Sequence, residues 1–309
     1  MNAITAPLRE LAEFEEGQAL LKKERACIGF TGCVDSQKLH MAYGLSDGFR
    51  YKIIVTFSDL KAREIYEDYQ FYDRDVTLYP AKDLIFYQAD IHGNQLVTDR
   101  MKALRKIIEG KPLTVITTFA ALMSPQVPLE EIAASVIHID GDSRLDEGSL
   151  ARSLTQMGYE KNYQVDAPGQ FSIRGGIIDI FDLTEENPYR IELWGEEVES
   201  IRSFDLLSQR SVEKLANVDI YPATEMMLSG QQKEEGLRKI EKEAKAFAGK
   251  LQESFQTEEA HRVRTQVKEL REQVQEFSQI TNLESYIRYF YEETVVPEVF
   301  PGGGDLCFY

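Results

Sequence analysis

From Arg25 to Ser124, short apolar runs alternate with stretches whose apolar residues recur at helical spacing. Ala26–Thr31 is expected as a strand entering a loop, and Tyr51–Phe57 (YKIIVTF) as a second, buried strand. Asp59–Phe71 is amphipathic, with Leu60, Ile65, Tyr66 and Tyr69 on its predicted apolar stripe. Val76–Tyr79 predicts a short strand, Gln95–Glu109 a helix, and Leu113–Thr118 (LTVITT) the strand that closes the set. Strands alternating with helices imply a parallel sheet with helical crossovers.

Two prolines in SPQVPLEE, near residues 124–131, mark a boundary. Beyond it, Val136–Ile139 reads as a strand and Ser149–Met157 as a helix, and the pattern then turns β-rich from Gln170 to Tyr221. Phe171–Phe181 (FSIRGGIIDIF) is two strand halves around Gly175-Gly176, which form either a bulge that aims Arg174 outward or a simple strand bend. Tyr189–Trp194 and Val198–Phe204 flank Gly195-Glu196-Glu197 and predict an antiparallel hairpin. After Pro222 the period becomes helical. Leu237, Ile240, Ala244, Phe247 and Leu251 form one stripe, and Val263, Val267, Leu270, Val274 and Phe277 another, so either two helices or one with a phase break is expected. The final LCFY looks like a strand cut off before its partner, as if the chain stopped inside a larger protein.

Charge narrows the class of partner. The net charge is −17, and a chain this acidic repels a polyanion overall, which favours a protein partner over direct nucleic-acid binding. No window approaches the roughly 18 apolar residues of a membrane span, and the charged amino-terminal stretch has no apolar core of a secretion signal. The three cysteines fit neither a disulfide framework nor a zinc ligand set, so a reducing cytoplasm is expected, with no metal. His40, His92, His138 and His261 lack local partners at ligand or triad spacing, and Glu15-Glu16 and Glu258-Glu259 read as solvated helix faces.

One motif touches nucleotide chemistry. Gly29-Phe30-Thr31-Gly32-Cys33-Val34-Asp35-Ser36 stands where a nucleotide hydrolase keeps G-x-x-x-x-G-K-[ST]. Gly29 and Ser36 fit that frame, but Val34 replaces the second glycine and Asp35 the lysine. A β-branched residue tolerates positive φ poorly, and aspartate reverses the charge beside the terminal phosphates. The loop is either a phosphate loop that has lost its chemistry or a turn that never bound phosphate, and both readings expect no ATP there.

Alternation along the strands selects a candidate surface. Arg190, Glu192 and Trp194 should face one way while Ile191 and Leu193 face the core, and Ser172 and Arg174 should oppose Phe171 and Ile173. Exposed tryptophan and arginine are the types enriched at binding hot spots. The alternative is a Trp194 packed under a helix, with the arginines paired to Glu192 or Glu197.

FSIRGGIIDIF, then YRIELWGEEVESIRSFD and SQRS, resembles the domain shared by the excision-repair helicase UvrB and the transcription-repair coupling factors (Mfd). YPAKDLIFYQ, TTFAALM and IYPATE fit the amino-terminal region of the coupling factors in order and spacing. The altered phosphate loop, and a Tyr87–Gln95 segment too short for UvrB's DNA-threading hairpin, favour the coupling factors over UvrB. The resemblance implies an α/β chain: a degenerate P-loop NTPase-like parallel-sheet domain (1–136), a smaller α+β insert like UvrB domain 2 (137–221), and a long helical return (222–309). It implies no catalysis and no cofactor in this chain, and UvrA as partner through positions occupied here by Arg174, Arg190 and Trp194. RNA polymerase, DNA, ATP and magnesium would belong to downstream domains, and a carboxy-terminal domain of the intact factor would mask the UvrA surface. The competing reading is an active, ATP-dependent UvrB-type damage-recognition enzyme.

Overall fold

A computed structural model describes residues 3–23, 26–82, 92–276, 283–291 and 306–308. By mutual contact the chain divides into two units, one of Met1–Lys82, Lys102–Ser124 and Pro297–Tyr309, the other of Asp83–Met101 and Pro125–Val296.

The first unit is mixed α/β. Helices α1 (Ala12–Leu21) and α2 (Asp35–Leu45) precede β1 (Tyr51–Thr56), α3 (Asp59–Tyr69) and β2 (Val76–Tyr79). The end of helix α4 (His92–Ile108), whose residues up to Met101 belong to the second unit, then β3 (Leu113–Thr118) and α5 (Phe119–Met123) follow. The sheet is parallel throughout, with Leu306–Phe308, β1, β3 and β2 in that order. Thr and β-branched residues fill β3, and every one of its six positions is buried, as expected of a central parallel strand covered on both faces. Ser58 caps α3 by accepting the Lys61 N–H, and the helix lays Ala62 and Tyr69 against Ile54, Val76, Leu78 and Ile116.

Three expectations fail in this unit. Ala26–Thr31 forms no strand, and the place beside β1 is taken by Leu306–Phe308, in register Lys52↔Leu306 to Ile54↔Phe308. The terminal LCFY strand therefore has its partner within the chain, and the P-loop NTPase-like reading of the sheet loses its first strand. Phe30 from the missing strand lies instead against α1, where a side chain at Gly17 would meet its ring at 2.8 Å. Leu60, assigned to the apolar stripe of α3, is exposed, and the inward positions of the helix are those of Ala62, Ile65, Tyr66 and Tyr69. The Tyr87–Gln95 segment lies largely outside the described residues.

Besides the first part of α4, the second unit contains α6 (Leu129–Ala134) and β4 (Ile137–Asp140), then α7 (Glu147–Gln156), capped by Asp146 on the Ser149 N–H. Strands β5 (Glu160–Lys161), β6 (Gln170–Arg174), β7 (Ile177–Ile180), β8 (Tyr189–Trp194), β9 (Glu197–Phe204) and β10 (Ser211–Leu215) lie side by side in a sheet, and β11 (Asn217–Ile220) pairs antiparallel with β4. That last pair brings the two ends of the β-rich segment together, so its chain leaves where it entered. The closure is tied by the Tyr159 hydroxyl donating to the Tyr221 carbonyl, and by the Tyr221 N–H donating to Asp182.

Of the two helical alternatives after Pro222, the structure has two helices, α8 (Gly230–Glu253), with a Ser229–Gln232 capping box, and α9 (Thr257–Glu276). Leu237, Ile240, Leu270 and Val274 are buried, but Phe247 is more than half exposed and Ala248 takes the inward position. Phe255, between the helices, has φ 60° and is 93% exposed. Deeper in the unit, Arg100 is fully buried against Glu225 through two hydrogen bonds. No helix among the described residues is long and apolar enough to cross a membrane.

Candidate docking face on the six-stranded sheet

The register of the sheet decides which side chains meet. Ile173, Ile178, Ile191 and Ile201 stand level on four neighbouring strands, and the last three are sealed in the core. The rows on either side of this ladder point the other way, because successive side chains alternate faces. One row is Ser172, Asp179, Arg190, Arg202 and Lys214, and the next is Arg174, Ile177, Glu192 and Ser200. Trp194, two residues beyond Glu192 and opposite Glu197, ends the same face.

Gly175-Gly176 is neither a bulge nor a bend but the two-residue turn of a hairpin. Both glycines have positive φ (58° and 83°), and Arg174 pairs with Ile177 directly across the turn. Positive φ at both central positions is the turn whose twist matches that of antiparallel strands, and it strongly favours glycine. The turn fixes the register, and the register sets Ser172 opposite Asp179.

Asp179 organises the face. Its carboxylate is 1% exposed and accepts from Arg190 Nε at 2.6 Å, Arg190 Nη2 at 2.9 Å and Arg174 Nη2 at 3.1 Å. The fork on Arg190 is the two-bond arrangement that guanidinium geometry favours. Arg190 also stacks on Phe204, 4.2 Å from the ring centre, and donates to Gln209 at 3.0 Å. The hydrogen bonds to Asp179 hold its proton affinity above the ordinary arginine value. Arg174 lies 5.5 Å from the ring centre of Tyr163, itself 83% exposed, and keeps about a third of its side-chain surface in solvent.

Neighbouring charges are satisfied separately. Glu192 accepts from the Ser200 hydroxyl and from Arg202, and Glu197 pairs with Arg144. The Ser200 hydroxyl, and after it the Arg202 guanidinium, hold the Glu192 carboxyl below its usual range against the opposing effect of burial. The arginines thus have an anionic partner, but not Glu192 or Glu197. Among the strand residues of this face, Arg174, Arg190, Arg202 and Lys214 stand with Asp179, Glu192, Glu197 and Glu160, the last set there by its pairing with Gln170, although the whole chain carries −17. The face is thus close to charge-balanced in an acidic protein.

Trp194 is 80% exposed, so it does not pack under a helix. By strand geometry it stands about 13 Å along β8 from Arg190. The two arginines are brought together through Asp179, with Trp194 farther along the same face. Arg190 is the more enclosed, at 15% side-chain exposure. Ser172, expected on the outer side, points there but is completely buried beneath the charge cluster, and its hydroxyl has no hydrogen-bond partner.

Sequence reasoning missed three contributors: Asp179, Tyr163 and Gln209. Gln209 reaches Arg190 because the loop after β9 is shaped by Asp205, which accepts from the Ser208 N–H and hydroxyl, and because Gln209 itself adopts φ 57°. A two-residue reading of Gly175-Gly176 would have placed Asp179 beside Ser172 and between the arginines. Nothing in the local sequence marks Tyr163 or Gln209.

At the other candidate site, Gly29 lies in irregular chain and Ser36 in the first turn of α2. Val34 precedes the helix with φ −74° and ψ 161°, and no side chain caps it. Asp35 begins α2. No group of His, Cys, Asp or Glu among the described residues could hold a metal ion.

Residues 137–226 match the UvrB interaction domain family. Over 78% of its length the chain is 34% identical to the transcription-repair-coupling factor of Bacillus subtilis (strain 168), covering 20% of that protein. The factor of Myxococcus xanthus is 33% identical over 56% of this chain and 14% of its own. That of Staphylococcus aureus (strain Mu50 / ATCC 700699) is 29% identical over 79% of this chain and 21% of its own. The chain thus aligns with about a fifth or less of the length of these relatives.

Proposed function

We propose that this chain, which carries a UvrB interaction domain at residues 137–226 and is related over most of its length to transcription-repair-coupling factors, is a non-catalytic module that docks UvrA. In this reading the outer face of the six-stranded sheet recruits UvrA to stalled transcription complexes, in the cytoplasm, for nucleotide excision repair. Contacts with RNA polymerase and DNA, and the use of ATP and magnesium, belong to the rest of such a factor.

The observation that carries the reading is a tryptophan left 80% in solvent on the same sheet face as a guanidinium about one-third exposed. An exposed indole normally reduces solubility without stabilising the fold, so its position here fits a surface that is covered by a partner. Arg174 uses one of its Nη2 hydrogens on Asp179 and retains further donors for a carboxylate on UvrA.

The test is the variant Arg174→Ala with Trp194→Ala, titrated with UvrA by calorimetry. Loss of binding with a melting midpoint lowered by a few degrees at most is expected, and wild-type affinity would refute the assignment. The UvrB-type enzyme reading requires nucleotide at Gly29–Ser36. A titration with ATP and magnesium is expected to give no saturable binding, and saturation there would favour the enzyme.

A further inference from the structure

We infer that Asp179 is the positioning residue of the docking face, a buried carboxylate that sets the guanidinium of Arg174 in the orientation a partner's carboxylate meets. The inference rests on the docking reading above and adds to it the residue through which the face is preorganised.

The geometry separates the roles of three charges. Asp179 has essentially no solvent exposure, so it cannot touch a partner. Its Oδ1 is committed to Arg190 Nε, and its Oδ2 is shared between Arg190 Nη2 and Arg174 Nη2. Arg190 is held from three sides, by that fork, by the Phe204 ring beneath it and by the Gln209 side-chain oxygen. It therefore serves as a fixed wall against which the carboxylate is oriented. Arg174 is held by one hydrogen bond to Oδ2 and by the Tyr163 ring, and it alone of the pair has substantial exposed surface. Binding that must first order a long arginine side chain loses affinity, and a side chain already held in place avoids that loss. The shared oxygen also keeps two like charges close together before the partner arrives.

The partner chemistry follows. Asp179 offsets one of the two guanidinium charges, so the pair presents about one net positive charge. A single carboxylate aligned along the free edge of Arg174 complements it, and a phosphate-rich polymer would meet the acidic remainder of the chain.

Asp179→Asn keeps the shape and removes the charge. In the full chain it is expected to lower affinity for UvrA by about tenfold or more. In an Arg174→Ala background it should produce little further loss, because the residue it orients is gone. Wild-type affinity of Asp179→Asn, or fully additive losses in the double variant, would overturn the inference. If Asp179→Asn does not fold, the comparison is made in an Arg190→Gln background, where only the part-exposed Arg174 is left without its anion and water can solvate it. There Asp179→Asn should still weaken binding several-fold relative to Arg190→Gln alone, and equal affinity would overturn the role. If Asp179→Asn binds normally while Arg174→Ala with Trp194→Ala does not, docking stands and positioning fails. If both bind normally, the docking reading itself fails, and the inference with it.

Discussion

Trp194→Ala should separate binding from folding, and the structure sets both magnitudes. A tryptophan side chain can bury up to about 250 Å². With 80% of the residue exposed in the free chain, folding hides only about 50 Å² of it, worth about 1 kcal/mol at ~25 cal/mol per Å². That figure is an upper bound, since an unfolded chain already shields part of the ring. Docking has about 200 Å² left to cover, a gross gain of about 5 kcal/mol, of which alanine truncation at a hot spot typically reveals about 2 kcal/mol or more. Two kcal/mol corresponds to about a 30-fold change in Kd. The assay is calorimetric titration with UvrA at fixed salt, beside a thermal melt of each variant. The expected pattern is a drop in affinity of about 30-fold with a melting midpoint lowered by a few degrees at most. An unchanged Kd would refute the reasoning, as would an affinity loss that merely follows loss of the folded state.

Other regions of the chain give further tests. Phe255 occupies a left-handed position at the end of α8, where its N–H donates to the Gln252 carbonyl and the Gln256 N–H to that of Leu251, the pattern in which glycine is favoured. Phe255→Gly should therefore raise stability by about 1 kcal/mol in urea denaturation, and a loss would contradict the strain argument. Burial alone would raise the Asp73 carboxyl, but the Lys52 ammonium at 3.2 Å, the Thr114 hydroxyl and the Asp75 N–H hold it below the ordinary 3.8. A lowered folded-state value contributes stability that is fully present above the unfolded value and lost as pH falls through the folded one. Asp73→Asn should thus be less stable than the wild type at pH 7, with the gap closing as the pH falls below about 4. An equal gap at pH 7 and pH 3 would remove the carboxylate's charge from the explanation.

Much of the fold was legible because period and burial agree locally. The YRIELW strand alternates largely as its letters suggest, with Ile191 sealed, Arg190 and Glu192 outward and Trp194 in solvent, but Leu193, expected in the core, is only half-buried where the pairing with β9 shifts register. What failed depends on contacts remote in sequence. ACIGFT has a strand-like composition, yet the place beside β1 goes to residues some 250 positions later, which no local pattern encodes. Leu60 and Phe247 sit at helical spacing yet are exposed, while the small Ala62 and Ala248 beside them take the buried positions. At the candidate face the arginines and the tryptophan could be singled out from residue type and resemblance. Asp179 could not, because its part depends on which residue the hairpin turn sets opposite Ser172. Once Gly175-Gly176 is treated as a two-residue turn, the count from Arg174↔Ile177 to Ser172↔Asp179 follows from the sequence alone.

The chain contains a single tryptophan, so one label reports on the proposed interface. Incorporating 5-fluorotryptophan places one ¹⁹F nucleus at Trp194, and its solvent isotope shift measures how much water reaches the indole. The account expects a large isotope shift in the free chain that collapses, with a changed or broadened resonance, when unlabelled UvrA is added to saturation. A resonance that keeps both its position and its isotope shift, while calorimetry shows UvrA bound, would place the contact elsewhere and contradict the account.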